Sequence, residues 1–252
     1  MLNQFSISEH EGHLRVATTE GAPWGPPTGP ESQSGVSVLR ADGERLVTVG
    51  RVTGLGRGER ILGVRFLGDR GYVVTFRQVD PLYVVDLSDP TAPRVRGELK
   101  ITGYSAYLHP VSPTRLLGVG QDATEQGGRL GAQVSLFDVE DPAQPRLLDR
   151  AGVAGWAAVE QDHHAFLWWA PARLAVLPVD AYPSSGAVAF RVGSASVDEA
   201  GRITHPAPSE HHLPPPIGRS LVIGDRLLTV SATGIATNAL GDLAPLGFVP
   251  LT

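Results

Sequence analysis

Residues 82–99 read LYVVDLSDPTAPRVRGEL, and residues 135–148 repeat the outline as SLFDVEDPAQPRLL. An apolar run, an Asp, then Asp-Pro-x-x-Pro-Arg and a second apolar run recur, with Asp86 and Asp138 lying 52 positions apart. Alternating apolar residues suit a half-buried strand, and Asp before Pro is turn chemistry. Each copy therefore reads as strand, turn, strand.

Working outward, the same period governs the whole chain. Five segments share the order apolar, variable, apolar, small: LRVA (14–17), YVVT (72–75), LGVG (117–120), AVLP (175–178) and LTVS (228–231). Four of them have an arginine two residues earlier, at Arg70, Arg115, Arg173 and Arg226. A Gly-Asp turn precedes two of them, at 68–69 and 224–225, as in a hairpin. A second series follows in register at Val38, Val85, Phe137, Phe190 and Thr237, with spacings of 47, 52, 53 and 47. Outer apolar stretches come next at 45–52, 94–99, 146–152 and 243–249; the fourth repeat offers only Arg202-Ile203-Thr204. Apolar runs at 5–8, 61–67, 104–109, 164–169 and 220–224 precede the first series.

Repeats of about 50 residues holding four short strands are the sequence form of a β-propeller, in which each four-stranded blade buries its faces against its neighbours. The chain is expected to be all-β: one propeller domain over 1–252 with five blades at about 1–53, 54–102, 103–153, 154–206 and 207–252. The alternative is an open arc of a larger propeller. A β-sandwich gives no reason for strand spacing to recur at a fixed length.

Composition agrees. Thirty Gly and 21 Pro in 252 residues supply turns rather than helices. No apolar run approaches the ~20 residues of a membrane helix, and no signal peptide is visible at the N-terminus. A net charge of −5 without a basic stripe argues against a nucleic-acid partner. Cysteine is absent, which removes disulfides, thiolate metal sites and a Cys nucleophile.

Residues 2–19, 64–110 and 135–146, with DHHAFLWW (162–169) and LAVLPV (174–179), resemble a bacterial family of secreted proteins with a C-terminal β-propeller domain. The Asp-x-Ser-Asp-Pro-x-x-Pro piece is also similar to the LVIVD repeat of bacterial cell-surface proteins. The resemblance implies a propeller at or outside the cell surface, with no catalytic residues to carry over. Members of that family are usually longer, with a signal or anchoring segment and further repeats upstream.

In an antiparallel blade the first–second and third–fourth turns share one end, and the other connections share the opposite end. The first end holds turn chemistry, with Asp69, Asp89, Asp141 and Asp225 expected in structural hydrogen bonds. The second end carries the irregular loops 20–35, 53–60, 77–81, 121–131, 153–156 and 205–218. Binding residues concentrate on such loops. The expected ligand-binding set is therefore Trp24, Arg60, Arg77, Tyr104, Arg129, Trp156 and Tyr182, since exposed aromatics beside arginines suit carbohydrate or peptide recognition.

Other constellations read as structural. Asp86-x-x-Asp89 and Asp138-x-x-Asp141 lack the six or more converging oxygens of a Ca²⁺ cage, and Asn238 stands where Asp86 does in its repeat. Asp162 and His163 are neighbours on an expected strand and so point to opposite faces; His163 is assigned a structural hydrogen bond. His205, His211 and His212 are expected in a solvated Pro-rich loop. No metal or cofactor is expected. The function expected is a non-catalytic binding module for a protein, peptide or glycan, as a monomer if five blades close the ring. The alternative is a glycoside hydrolase or lyase, which needs two carboxyl groups near the axis. Only Glu9, Glu160 and Asp162 lie near an inner-strand end.

Overall fold

Among the described residues, twenty-one short strands form five antiparallel sheets, each following the chain in order. The structure, a computed structural model, describes residues 1–22, 31–76, 79–124, 128–209 and 212–251, excluding the side chains of 79, 80 and 129. The first sheet is β1 (Ile7–His10), β2 (His13–Glu20), β3 (Gln33–Asp42) and β4 (Arg45–Leu55). The second is β5 (Arg60–Leu67), β6 (Arg70–Phe76), β7 (Val79–Asp86) and β8 (Arg94–Thr102). The third is β9 (Tyr104–Ser112), β10 (Arg115–Ala123), β11 (Arg129–Asp138) and β12 (Arg146–Val153).

The fourth sheet runs β13 (Trp156–Ala157), β15 (Leu174–Asp180), β16 (Gly186–Val192) and β17 (Val197–Ile203), with β14 (Leu167–Trp169) also paired to β15. The fifth is β18 (Ile217–Ile223), β19 (Arg226–Ser231), β20 (Gly234–Ala239) and β21 (Pro245–Pro250). Helix is limited to four 3₁₀ turns among the described residues: η1 (Gln4–Ser6), η2 (Ala158–Glu160), η3 (His163–Ala165) and η4 (Ala170–Ala172).

One element departs from the sequence expectation. The run 164–169 does not form a single strand. Asp162 caps η3 by accepting the His164 backbone N–H at 3.0 Å, which turns the chain before Leu167. The first-strand position is thus shared by Trp156-Ala157 and Leu167–Trp169, which pair with opposite ends of β15. The poor outer stretch of this repeat still forms β17, seven residues long.

The chain divides into two compact units, 1–118 with 123–129 and 137–147, and 119–122 with 130–136 and 148–252. Within the first unit the period of two splits each middle strand between two cores. Val73 and Val85 face Ala17, Val36, Val38, Ile61 and Val64; Tyr72, Val74, Leu82 and Val84 face Leu108, Leu116, Phe137 and Val139. In the second unit Leu174, Val176, Ala187 and Ala189 pack against Ile217, Leu227 and Leu243. Fourth strands are mostly exposed and carry the charge, as in Arg94, Arg96, Glu98 and Lys100 of β8.

The doubled Asp-Pro-x-x-Pro has a mechanical role. Asp89 accepts the Thr91 backbone N–H at 2.9 Å and its hydroxyl at 2.7 Å, and Asp141 accepts the Ala143 N–H at 2.9 Å. These bonds shape two turns that seat on the preceding sheet. The Pro90–Pro93 turn covers Gly50 of β4, and the Pro142–Pro145 turn covers Gly97 of β8, so closely that a β-carbon at either glycine would collide with a prolyl carbonyl. The repeated arginines tie down the same end. Arg70 donates to the Val139 carbonyl at 2.7 Å, Arg115 to Asp138 at 2.6 Å, and Arg173 to the Val192 and Gly193 carbonyls at 2.6 and 2.8 Å.

Candidate functional site: an aromatic end of the fourth sheet

The loop end of the fourth sheet is built on a close approach. Gly155, at φ +105°, lies against the Asp180 carbonyl and the Ala181 side chain, where a β-carbon would sit 2.7 Å from Ala181 Cβ. That contact lets Trp156 pair with Asp180 at the edge of β15. The Asp180 carboxylate accepts the Ser185 hydroxyl, which closes the loop 180–185. Two large aromatics emerge from these adjoining segments: Tyr182 is 91% exposed and Trp156 46% exposed. Both belong to the set read from sequence.

The cavity beside them, lined by Ala154, Val179, Ser184, Gly186 and Arg202, is only about 50 Å³. That is far below the ~300 Å³ at which small-molecule pockets begin, so a ligand here is met on the surface. Arg202 is held by Glu199 at 2.7 and 2.9 Å.

The remaining expected residues are dispersed. Tyr104 is buried and packs its ring 5.0 Å from that of Phe76, leaving little of it for a ligand. Arg60 is exposed at the start of β5, opposite Phe76. Trp24, Arg77 and the Arg129 side chain lie outside the described residues. Asp69 and Asp225 serve their turns through backbone carbonyls, which accept the Leu87 and Leu240 N–H groups at 2.8 Å; the Asp69 carboxylate also lies 3.2 Å from His10 Nε2. His163 stacks on His164 at 3.8 Å.

Two open clefts lie at the turn-bearing end of the first unit. One of about 680 Å³ is bounded by Asp69, Arg70, Tyr72 and the segment 110–114; one of about 290 Å³ adds Asp86, Arg94, Arg96 and Pro142. Their charged groups are largely committed internally: Asp86 to Arg94 at 3.2 Å and to the Ser88 hydroxyl at 2.6 Å, and Arg70 to Val139.

The three carboxyls near first-strand ends, Glu9, Glu160 and Asp162, all have partners. Asp162 accepts from the His164 backbone and ring, the latter at 2.9 Å, and from Arg219 at 2.5 Å. These bonds push its pKa down to about 2. Glu160 accepts the Gln121 amide at 2.5 Å, and Glu9 the Gly12 N–H at 2.9 Å. Asp86, Asp89, Asp138 and Glu199 are likewise held below the usual carboxylate range by hydrogen bonds and arginines. A general acid requires the opposite shift. Asp162, His163 and His164 do gather ligand atoms within 4.8 Å of one another, the one such trio among the described residues.

Three features were not legible in the residues. His205, expected in solvent, is 2% exposed, bonded to Ser231 at 2.7 Å and Thr229 at 2.9 Å, with Phe248 edge-on at 5.2 Å. Burial lowers its pKa. His211 lies outside the described residues. In the first unit Glu59 plays the corresponding part, accepting the Thr75 hydroxyl at 2.5 Å, while Tyr83 accepts the Gly56 N–H at 3.2 Å. Finally, Arg65 lies over the rings of Phe5 (4.6 Å) and Tyr107 (5.6 Å), and burial together with that charge pushes His109 down to about 4. Polar pairs 16 or 26 residues apart leave no periodic mark in the sequence.

With this geometry in hand, the chain belongs to the beta propeller domain family, which it matches over residues 1–243. It is similar to an uncharacterized protein of Methanocaldococcus jannaschii, 41% identical over 179 residues, covering 71% of this chain and 27% of that protein. It is also similar to an uncharacterized protein of Archaeoglobus fulgidus, 44% identical over 168 residues, 66% of this chain and 24% of the other. The chain thus spans about a quarter of the length of these archaeal relatives. Among solved structures, Sqt1 from Chaetomium thermophilum aligns with a TM-score of 0.49 at 12% identity, over 97% of this chain and 71% of that one.

Proposed function

We propose that the chain is a non-catalytic binding module that meets a peptide, protein or glycan at the Trp156–Tyr182 end of the fourth sheet. The observation that carries this reading is the exposure of two aromatics on adjoining segments anchored by the Gly155 contact and the Asp180–Ser185 bond. Rigidly mounted Tyr and Trp supply contact area at low entropic cost. The downward shifts of the resolved carboxyls favour binding over the glycosidase alternative. By the family resemblance, the module acts at or outside the cell surface.

A glycan and peptide array probed with the whole chain tests this. Trp156→Ala with Tyr182→Ala is expected to abolish the retained signal while leaving the melting curve unchanged. A signal that survives the double substitution overturns the assignment of the site. Hydrolysis or elimination of an arrayed glycan would instead establish the enzyme reading. Localisation is tested separately, by protease accessibility on intact cells.

A further inference from the structure

The second repeat departs from the third at its turn-bearing end, where the two clefts of the first unit lie. In the third sheet the row Arg115, Asp138, Arg146 is closed: both arginines bond one buried carboxylate, at 2.6 and 2.8 Å. The second sheet has the same row, since pairing aligns Arg70 with Asp86 and Asp86 with Arg94. Its row is open. Arg94 alone of the two arginines bonds Asp86, at 3.2 Å, and Arg70 gives an N–H to the Val139 carbonyl instead. A guanidinium carries five N–H groups, so Arg70 retains donors, and it lines both clefts.

A second departure lies beside the first. Register slips in the fourth strands of four sheets leave one bulged residue in each: Val49, Arg96, Ala200 and Leu246. A bulge re-aims the side chain of its extra residue. Three of these residues are apolar, and 52 positions after Arg96 the third repeat has Leu148. Arg96 is the charged one. It is exposed, it lines the smaller cleft, and its guanidinium has no hydrogen-bond or ion-pair partner among the described residues. That cleft, of about 290 Å³, thus sets three arginines against two aspartates, of which Asp86 is already matched by Arg94. The larger cleft, of about 680 Å³, has the size of a small-molecule site and is walled by Leu67, Tyr72, Val111 and Pro113. The two meet at Asp69 and Arg70, and every residue lining them belongs to the first unit.

We propose that the two clefts together bind a small molecule with an oxyanion head, a carboxylate or a phosphate monoester, held by Arg70 and Arg96. Its uncharged, largely apolar body lies along Leu67, Val111 and Pro113. Guanidinium groups match both kinds of head in geometry, and their charge-assisted hydrogen bonds are the strong ones. The closed row of the third sheet shows what the same residues do when they only hold a turn: they spend both arginines on one carboxylate. The second sheet keeps one arginine back and adds another at its bulge. This site is independent of the Trp156–Tyr182 reading, whose residues belong to the second unit.

Benzoate, phenyl phosphate and the neutral benzamide, titrated into the whole chain at low salt and followed by NMR, test this. At least one anion is expected to bind about tenfold more tightly than benzamide and to shift the Arg70 and Arg96 guanidinium signals and the Val111 amide. The tighter of the two anions identifies the head group. Arg96→Val, which installs the residue type of the first sheet's bulge, should weaken anion binding about tenfold with the melting curve unchanged. Should that variant melt lower than its parent, Arg96→Gln replaces it. Anions that bind no better than benzamide overturn the inference, as do shifts spread over arginines outside the clefts and tight anion binding that survives both Arg96 substitutions. Trp156→Ala with Tyr182→Ala should leave anion binding intact; its loss there would place the site elsewhere and overturn the assignment.

Discussion

Pro145 closes over Gly97: a β-carbon on that glycine would stand 2.8 Å from the proline Cδ, and the Pro142 carbonyl would be nearer still. The contact joins the turn of one sheet to the outer strand of the sheet before it, and Pro93 over Gly50 repeats it at 2.7 Å. Substituting Gly97 by Ala therefore forces two sheets apart. Overpacking of this kind costs about 1–3 kcal/mol, whereas Gly247→Ala, into open space, should change stability by less than about 0.5 kcal/mol. Urea melts of the two variants give the comparison; equal effects would contradict the interlocking role.

Asp138 is almost fully buried and accepts from Arg115 at 2.6 Å and Arg146 at 2.8 Å. Burial alone would raise its pKa, but the Glu140 N–H and the two arginines outweigh it and hold the group low. Asp138→Asn should cost about 2–4 kcal/mol, because Arg115 is left without its charge partner. The contribution is present above the unfolded carboxyl value and lost as pH falls through the folded one. The gap between the denaturant midpoints of variant and parent, open at pH 7, should therefore narrow as the pH is lowered.

His109 and His205 give stability a dependence on mild acid. Both have depressed folded pKa values, His109 to about 4, so the unfolded chain takes up protons first as pH drops below ~6.5. The stabilisation is complete above ~6.5 and declines toward pH 4, by of order 2 kcal/mol for His109. His109→Gln should flatten the stability profile across that window. A slope unchanged by the substitution would remove His109 as its source.

His205 also bridges two hydroxyls of the following sheet from a buried position. Its removal leaves the Ser231 and Thr229 hydroxyls to find other partners and opens space beside Phe248. His205→Ala should cost about 2–4 kcal/mol by thermal or urea unfolding. His212, bonded to Ser209 on the exposed part of the same loop, should cost less than about 0.5 kcal/mol when replaced.

The Asp162–His163–His164 trio is expected to bind Zn²⁺ only weakly, since Asp162 already serves His164 and Arg219. A zinc site of consequence needs ordered, uncommitted ligands. Arg219→Ala frees one carboxylate oxygen and should tighten Zn²⁺ binding several-fold by calorimetric titration. No change in the variant would show that Arg219 does not limit the site.

Sequence by itself determined the four-strand repeat and the order of the five sheets, because a period of two within strands and a period near 50 between them are both carried by apolar residues. Val73 and Tyr72 had to face different cores for no reason beyond alternation. Trp156, expected on a loop, pairs into β13, while Tyr182 follows β15; both are exposed. Only the tertiary structure decided what lies against what. The Asp-Pro-x-x-Pro turns acquired their purpose from glycines about 40 to 48 residues earlier in the chain, His205 its burial from hydroxyls on the following sheet, and Asp162 its cap from breaking an expected strand. Periodicity records which face of a strand is apolar. A contact between two sheets depends on side-chain reach and on the absence of a β-carbon, and neither leaves a periodic mark.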